Sequence, residues 1–403
     1  MSGMTIDPRL TNARSAPKRG VQFSWADPVF RSIIWQVVIV GLIVGLIWYL
    51  ADNTVRNLEV RHIATGLGFL SNTAGIPIAE TPIPYDPATS TWGRAVIEGI
   101  LNTIKVAFIG IILATILGTL IGIGRLSKNW LVAKLTAIYV ETLRDIPLLL
   151  QLLFWYGLLQ NLPGPRDFRG STSVVFLTNR GLRLPSVDWE SAHTWALAAL
   201  VVGFIGTLVW NKTAKLRQDE TGIKPAVWPV AIGLMIGLPV VVWASMGAPF
   251  VVEYPVLKGF NMVGGNTISP EYFALLLGLV LYTASYIAEI VRSGIQAVPK
   301  GQWEAAGALG LRPAAVLKLI VLPQAMRVII PPMTSQFLNL TKNSSLAVAI
   351  GYQDIVSISG TMLNQTGQAI EGVGIIMLTF LVFSLSISVF MNWYNARIAL
   401  VER

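Results

Sequence analysis

Three charged residues inside an apolar stretch are the first candidates for chemistry in this sequence. Glu141, Arg144 and Asp145 follow the spacing i, i+3, i+4, so a helix would place all three on one face. Charges at membrane depth are costly and therefore suggest function. One interpretation is a polar wall of a translocation path, which meets the carboxylate and ammonium groups of a zwitterion. The alternative is a self-neutralising cluster that fixes the position of a neighbouring helix.

Two further polar groups interrupt later apolar stretches. Lys342, Asn343 and Ser344 lie in a polar run within a predicted span. Non-helical backbone is tolerated at depth only beside protein or a water-filled cavity, which favours a lining of the substrate path. Alternatively, Lys342 snorkels to the outer surface. Glu289 and Arg292, at i and i+3, could form an inner gate or a brace beside the loop that follows, but a salt bridge at the membrane boundary is the favoured interpretation.

The residue inventory argues against several classes of function. The chain has no cysteine and two histidines, His62 and His193, so neither a metal site nor a catalytic residue is expected. It has no G-x-x-x-x-G-K-[ST] sequence, so we expect this chain to bind no cofactor and to hydrolyse no ATP unaided.

The composition is that of a membrane protein. Of the 403 residues, 53% are hydrophobic and 13% are charged, whereas soluble domains carry about 25% charged residues. Several apolar runs reach the ~20 residues that cross a bilayer. The sequence therefore predicts an all-α, polytopic membrane protein with about eight transmembrane helices. The predicted spans are residues 33–51, 96–124, 131–159, 195–210, 227–246, 272–291, 328–350 and 374–394. We expect a basic turn at 211–217 after the fourth span, and a break at Pro331 and Pro332 within the seventh.

The distribution of basic residues predicts the orientation. With the N-terminus inside, 19 of the 30 lysines and arginines fall on the cytoplasmic side and nine fall outside or at the outer boundary. This excess predicts cytoplasmic N- and C-termini. Because it explains the net charge of +9, we do not expect nucleic-acid binding.

The loop after the sixth predicted span is too polar to cross a membrane. We expect Glu304 in the first turn of a short helix, where the helix dipole favours a carboxylate. Gly310 suits the C-cap, and Pro313 suits the first turn of a second short helix. Pro323 should break or kink the chain. Two short helices would form a compact knob on the cytoplasmic face, suited to a partner's cleft.

This loop resembles the EAA loop of ABC importer permeases. The match consists of Glu304-Ala305-Ala306, three residues, Gly310, nine residues, Ile320, one residue, and Leu322-Pro323. The resemblance implies that the loop, residues 296–325, docks into a cleft on a cytoplasmic ATPase. An ordinary amphipathic loop helix would not be expected to match over this length.

The flanking sequences resemble the polar amino-acid (histidine/glutamine type) subfamily. They are residues 139–151, 285–294 and 340–346. Asp145 departs from the glycine usual in that pattern. The length and the added segments resemble the Q-type permease subunits of general L-amino-acid importers of the Aap/Bzt type, found in Gram-negative bacteria.

The resemblance implies a type I (MetI-like) five-helix core with additions. The expected segments are a cytoplasmic tail (1–30), an extra N-terminal transmembrane helix and periplasmic loop (31–94), two core helices (95–160), inserted periplasmic loops with two extra helices (161–270), and the remaining core (271–403).

The same resemblance implies a set of partners in the bacterial inner membrane. They are a second, homologous permease subunit, two ATPase subunits that bind ATP and Mg²⁺, and a periplasmic amino-acid-binding protein. The chain would be a transport subunit for L-amino acids and not an enzyme.

The alternative is an ion-coupled secondary amino-acid transporter. Such a protein would show inverted internal repeats, and none is convincing. A channel would show a selectivity filter or a charged pore ring, and neither is apparent.

Overall fold

The computed structural model describes residue 25 and residues 28–60, 65–168, 173–223 and 225–398. It divides into two compact units, Met1–Gly66 and Leu67–Arg403. Most of the predicted cytoplasmic tail lies outside the described residues.

The described part of the first unit is dominated by a long helix, α1 (Pro28–Val60). It contains the predicted first span, and its apolar side chains are exposed along that span. A helix that is apolar on all sides is typical of a membrane span. Near its end, Asp52 and Arg56 form an ion pair of 2.5 Å across one helical turn.

The second unit is mainly helical. Its α-helices are α2 (Trp92–Gly124), α3 (Trp130–Asp145), α4 (Leu148–Gln160), α5 (Ser191–Thr221), α6 (Trp228–Ile232), α7 (Leu238–Ser245), α8 (Pro270–Gln296), α9 (Lys300–Ala308), α10 (Pro313–Val316), α11 (Leu322–Asn343), α12 (Ile355–Thr366) and α13 (Ala369–Ile398). A π-helical turn makes α6 continuous with α7, and another makes α10 continuous with α11. Within the described residues, seven helical segments are long and apolar enough to cross a membrane. The predicted all-α membrane fold is confirmed.

Helices α2 and α8 form the centre of the second unit. Gly118 and Gly122 lie one turn apart on α2, and their missing side chains let the two backbones approach closely. A Cβ atom at Gly122 would lie 2.6 Å from the carbonyl oxygen of Ala288, and one at Gly118 would lie 2.6 Å from the Cβ of Ile287. Larger residues at these positions would force the helices apart.

The predicted third span, residues 131–159, is two helices, and this is why seven segments qualify where about eight were predicted. Pro147 has no N–H and disfavours helical backbone at Ile146, which is extended with φ −90° and ψ 126°. A helix end leaves its last carbonyls without helical partners. The side-chain amide of Gln151 donates to two carbonyls beside the break, those of Leu143 and Ile146, at 2.8 and 2.9 Å.

The predicted fourth and fifth spans correspond to α5 and to α6–α7. Helix α5 is longer than predicted, because the basic residues 212–217, expected in a turn, are helical. The two spans pack closely at Gly203, where a Cβ atom would lie 2.0 Å from the carbonyl oxygen of Leu234.

Short strands join the loops on either side of this helix pair. They are β1 (Phe176–Thr178), β2 (Gly181–Leu184), β3 (Ser186–Val187), β4 (Val252–Glu253), β5 (Val256–Lys258), β6 (Asn261–Val263) and β7 (Asn266–Ile268). Strand β2 pairs antiparallel with both β1 and β7, and Leu184 lies opposite Asn266. Strand β3 pairs with β4, and β5 with β6.

The predicted seventh span, residues 328–350, is the end of a longer helical run that begins at Pro313. The break predicted at Pro331 and Pro332 does not occur, since α11 continues through both. Membrane helices tolerate proline where neighbouring groups satisfy the freed backbone. The polar run does change the backbone, because α11 gives way to a 3-10 helix over Ser344–Ile350.

Helix α12 was not predicted and follows this 3-10 helix. Its N-cap, Asp354, is fully buried, and Asp354 Oδ1 accepts a hydrogen bond from the N–H of Ser357 at 2.9 Å. Within the described residues, Asp354 Oδ2 has no partner. Burial raises the pKa of Asp354 to about 7, although backbone hydrogen bonds act in the opposite direction.

Candidate functional site

The first helix of the predicted coupling loop is α9, and it ends in a Schellman motif. The N–H of Gly310 donates to the carbonyl of Gly307 at 2.9 Å, and the N–H of Leu311 donates to that of Ala306 at 3.3 Å. Gly310 has φ +71°, the left-handed conformation that favours glycine. Glu304 lies in the second turn of α9 and not in the first, because the helix begins four residues earlier than Glu304.

The second half of the loop is the beginning of a membrane-spanning run. Pro313 occupies the first position of α10, as predicted. The expected break near Pro323 is a π-helical turn over Leu317–Val321, in which the N–H of Leu322 donates to the carbonyl of Leu317. The loop therefore contains one separate short helix, not two. Leu322 is exposed and Pro323 is half-buried.

Helix α9 presents one side to the core and the other to the surface. Ala306 is 1% exposed and packs in the same core cluster as Val316. Glu304 and Ala305 are exposed, and Leu309 at the end of the helix is 79% exposed. Helix α9 is thus fixed to the core by Ala306 and leaves a charged and an apolar side chain exposed.

An ion cluster joins the C-terminal ends of α2 and α8. Arg292 Nε and Nη2 donate to the two carboxylate oxygens of Glu289, at 3.0 and 2.5 Å, and Nη1 donates to Gln296 Oε1 at 2.6 Å. Arg125, at the end of α2, also donates to Glu289 Oε2. The predicted pair is therefore part of a link between two helices. The contribution of Arg125 was not predicted.

The three charged residues of α3 are exposed in this chain. Glu141, Arg144 and Asp145 are not joined to one another by any ion pair found within the described residues. The guanidinium of Arg144 instead lies 5.0 Å from the ring centroid of Tyr286 on α8. Both carboxylates are accessible at the surface of this chain.

The residues of the polar run differ in accessibility. Lys342 is exposed, Asn343 is half-buried and Ser344 is fully buried. The hydroxyl of Ser344 donates to the carbonyl of Thr341 at 2.7 Å. Across the described residues, no hydrogen bond or ion pair joins this run to the charges of α3. Lys342 is the member whose charge is available to a ligand.

The part of the chain that the structure describes contains no cluster of three or more histidine, aspartate or glutamate residues that could hold a metal ion.

Comparison with protein families gives a match over the C-terminal part of the chain. Residues 226–400 match the family described as "Binding-protein-dependent transport system inner membrane component". This region includes α8, the coupling loop and the helices that follow.

Similarity to individual proteins extends over nearly the whole chain. The general L-amino acid transport system permease protein AapQ of Rhizobium johnstonii is 50% identical over 94% of this chain and 94% of its own. The putative amino-acid ABC transporter permease protein YhdX of Escherichia coli is 47% identical over 98% of this chain and 100% of its own. The glutamate/glutamine/aspartate/asparagine transport system permease protein BztB of Rhodobacter capsulatus is 43% identical over 97% and 99%. The similarity therefore includes α1 and the helices α5–α7, which were predicted to be additions to the core.

Proposed function

This chain belongs to the permease subunits of ABC importers for amino acids, and on this basis we propose that it forms half of a membrane path for polar and general L-amino acids. We propose further that α9 couples this path to a separate ATPase. The chain is a multi-pass transport component and not an enzyme. The names of its relatives, which cover general and acidic amino acids and their amides, support this substrate class.

The observation that carries the coupling proposal is the placement of α9. Its exposed surface includes Glu304 and Leu309, whereas Ala306 is buried in the core cluster that also contains Val291 of α8 and Ile329 of α11. A force applied to the exposed side would therefore be transmitted to two membrane-spanning helices. This is the mechanical requirement for ATP-driven movement of the path.

The exposed charges of α3 support a role in the substrate path. A lipid-facing surface that carries Glu141, Arg144 and Asp145 would be costly. A second, homologous permease subunit facing α3 would enclose these charges and leave a polar passage between the subunits. Carboxylates and a guanidinium together suit the two charged groups that all α-amino acids share. Lys342 and Asn343 would contribute from α11.

The remaining components follow from this assignment. Two ATPase subunits would bind ATP and Mg²⁺ beneath the permease pair, and a periplasmic protein would deliver the amino acid. The permease would lie in the bacterial inner membrane with both termini in the cytoplasm. ATP and the loaded binding protein together would favour the outward-facing state, through their differential affinity for the two states.

The experiment that tests this proposal is reconstitution of the purified assembly into liposomes. Wild-type complexes should contain a second permease and an ATPase, and hydrolysis should increase when binding protein and L-glutamine are added. Glu304→Lys should reduce ATP-driven uptake by about tenfold or more, because it reverses a charge at the docking surface. Membrane insertion should be unchanged.

Glu220→Lys is the matched control, since Glu220 is exposed at the end of α5 and undergoes the same charge reversal. Normal uptake by Glu304→Lys would refute the coupling role. Uptake driven by an ion gradient without any ATPase would refute the importer assignment and favour a secondary transporter.

A further inference from the structure

A segment that precedes α2 covers a polar region at the N-terminal ends of α2 and α8, the predicted outer side. We call this segment, residues 76–85, the outer strap. The N–H of Ala79 donates to Gln353 Oε1 at 2.7 Å, and Gln353 Nε2 donates to the carbonyl of Pro77 at 2.6 Å. Arg94 donates twice to the carbonyl of Pro84, at 2.8 and 3.2 Å. The strap is therefore fixed at both ends.

The strap places the carboxylate of Glu80 in a set of donors from two helices. Lys105 Nζ of α2 lies 2.5 Å from Glu80 Oε2. Ser269, the N-cap of α8, donates to Glu80 Oε1 through its N–H at 3.1 Å and its hydroxyl at 2.7 Å. The ammonium of Lys105 also lies 4.3 Å from the ring centroid of Tyr272. An ammonium, a hydroxyl and a helix N-terminus together form a complete carboxylate-binding site.

A cavity of about 390 Å³ adjoins this carboxylate site. Glu80, Asn102, Ser269, Glu271 and Gln353 are among its lining residues. The volume lies within the range of about 300–1,000 Å³ that is typical of small-molecule sites. The cavity therefore has room for a ligand beside the donors that now hold Glu80.

The cavity also contains acceptors suited to an ammonium group. Asn102 is fully buried, and its Nδ2 donates to the carbonyls of Glu80 and Gln353, each at 3.0 Å. These bonds fix the orientation of the amide. Asn102 Oδ1 is enclosed by protein and has no hydrogen-bond partner within the described residues. Glu271 lines the same cavity and accepts a hydrogen bond from the hydroxyl of Tyr156 at 3.0 Å.

We propose that this cavity is a binding site for a free α-amino acid, and that Glu80 is a built-in competitor for it. The ligand's carboxylate replaces that of Glu80 on Lys105 and Ser269. Its ammonium binds Glu271 and, once the Glu80 side chain has moved away, Asn102 Oδ1. This inference rests on the proposed transport of amino acids. Because Glu80 must be displaced before the ligand binds, the competition lowers the apparent affinity of the site, which favours release of the ligand.

The test is direct binding of L-[³H]glutamine to the detergent-purified permease complex, without ATP or binding protein. Glu80→Ala removes the competitor and should tighten binding by about tenfold or more, which is the effect of one charge-assisted hydrogen bond. Lys105→Gln, added to Glu80→Ala, should reverse this gain. Glutamine methyl ester and N-acetylglutamine, which lack one charge each, should not compete.

Asp86→Asn is the matched control, because Asp86 is an exposed carboxylate adjacent to the strap, and it should leave the affinity unchanged. If Glu80→Ala does not give a monodisperse complex, Glu80→Gln is used for the same binding measurement. This variant keeps an acceptor for Ser269 but loses the ion pair with Lys105. It too should bind glutamine more tightly than the wild type.

Unchanged affinity in both Glu80 variants, or equal competition by the blocked amino acids, would overturn the proposal. ATP-dependent uptake by the wild-type importer is measured in parallel. If the wild type shows uptake but the Glu80 variants bind glutamine no more tightly, the proposed site is refuted and the proposed function is not. If the wild type shows no uptake, the proposed function is refuted.

Discussion

Replacing Asp354 by asparagine tests whether the buried N-cap of α12 makes stability depend on pH. Burial raises the pKa of this carboxyl from 3.8 to about 7. The folded protein therefore retains the proton over a pH range in which the unfolded chain releases it. The resulting contribution to stability is fully present below about pH 4, decreases as the pH rises, and is lost above about pH 7.

The size of the effect follows from the shift in pKa. At 1.36 kcal/mol per pKa unit, the difference between the two states sets an upper limit of about 4 kcal/mol. Asparagine retains the acceptor for the N–H of Ser357 but cannot ionise. We expect Asp354→Asn to unfold at a higher temperature than the wild type at pH 8, by up to about 8 °C, and at a similar temperature at pH 4.5.

Intrinsic fluorescence of the detergent-solubilised protein, recorded during heating at several pH values, measures this difference. Asp354→Ala is the control, because it also removes the charge but loses the cap, which costs about 1 kcal/mol at every pH. A melting temperature that depends on pH equally in the wild type and in Asp354→Asn would refute the argument.

Three further predictions concern helix packing and the coupling loop. Gly122→Val should prevent close contact of α2 with α8 and abolish monodisperse protein in size-exclusion chromatography, whereas Gly45→Val should not, since nothing among the described residues lies within 4 Å of the added Cβ. Glu289→Gln and Arg125→Gln should each lower stability by about 1–3 kcal/mol, and thermal unfolding of the double variant should show less than the sum of the two effects. Gly310→Ala should lower the free energy of unfolding by about 1 kcal/mol, because the φ of Gly310 is positive. It should also lower ATP-driven uptake in liposomes more than it lowers ATPase activity. Equal losses of uptake and ATPase activity would contradict this prediction.

Local chemistry allowed part of the coupling loop to be predicted from the sequence. A left-handed residue at Gly310 and a helix start at Pro313 depend on the conformational limits of glycine and proline alone. The same limits gave a wrong prediction at Pro331 and Pro332, where we expected a break but α11 continues. The division of the third span at Pro147 was missed because the apolar stretch around it is long enough to cross a bilayer.

Contacts between distant segments could not be predicted from spacing. Glu289 pairs with Arg125, which is 164 residues away in sequence, and Glu80 contacts Ser269, which is 189 residues away. The i, i+3 spacing of Glu289 and Arg292 could be read from the sequence. The contact of Glu289 with Arg125 could not, because it depends on how α2 and α8 pack. The cavity beside Glu80 likewise requires four segments that are separate in sequence.

The ladder between β2 and β7 has a consequence for how permeases of this kind can gain or lose parts. Leu184 and Asn266 are direct partners in this ladder, so their Cα atoms are roughly 5 Å apart. Residues 185–265, which include α5–α7, therefore leave and rejoin the rest of the chain at nearly the same point. A two-residue hairpin turn could close that gap without moving α4 or α8. We therefore expect that a shorter permease could lack this segment while keeping the same arrangement of core helices.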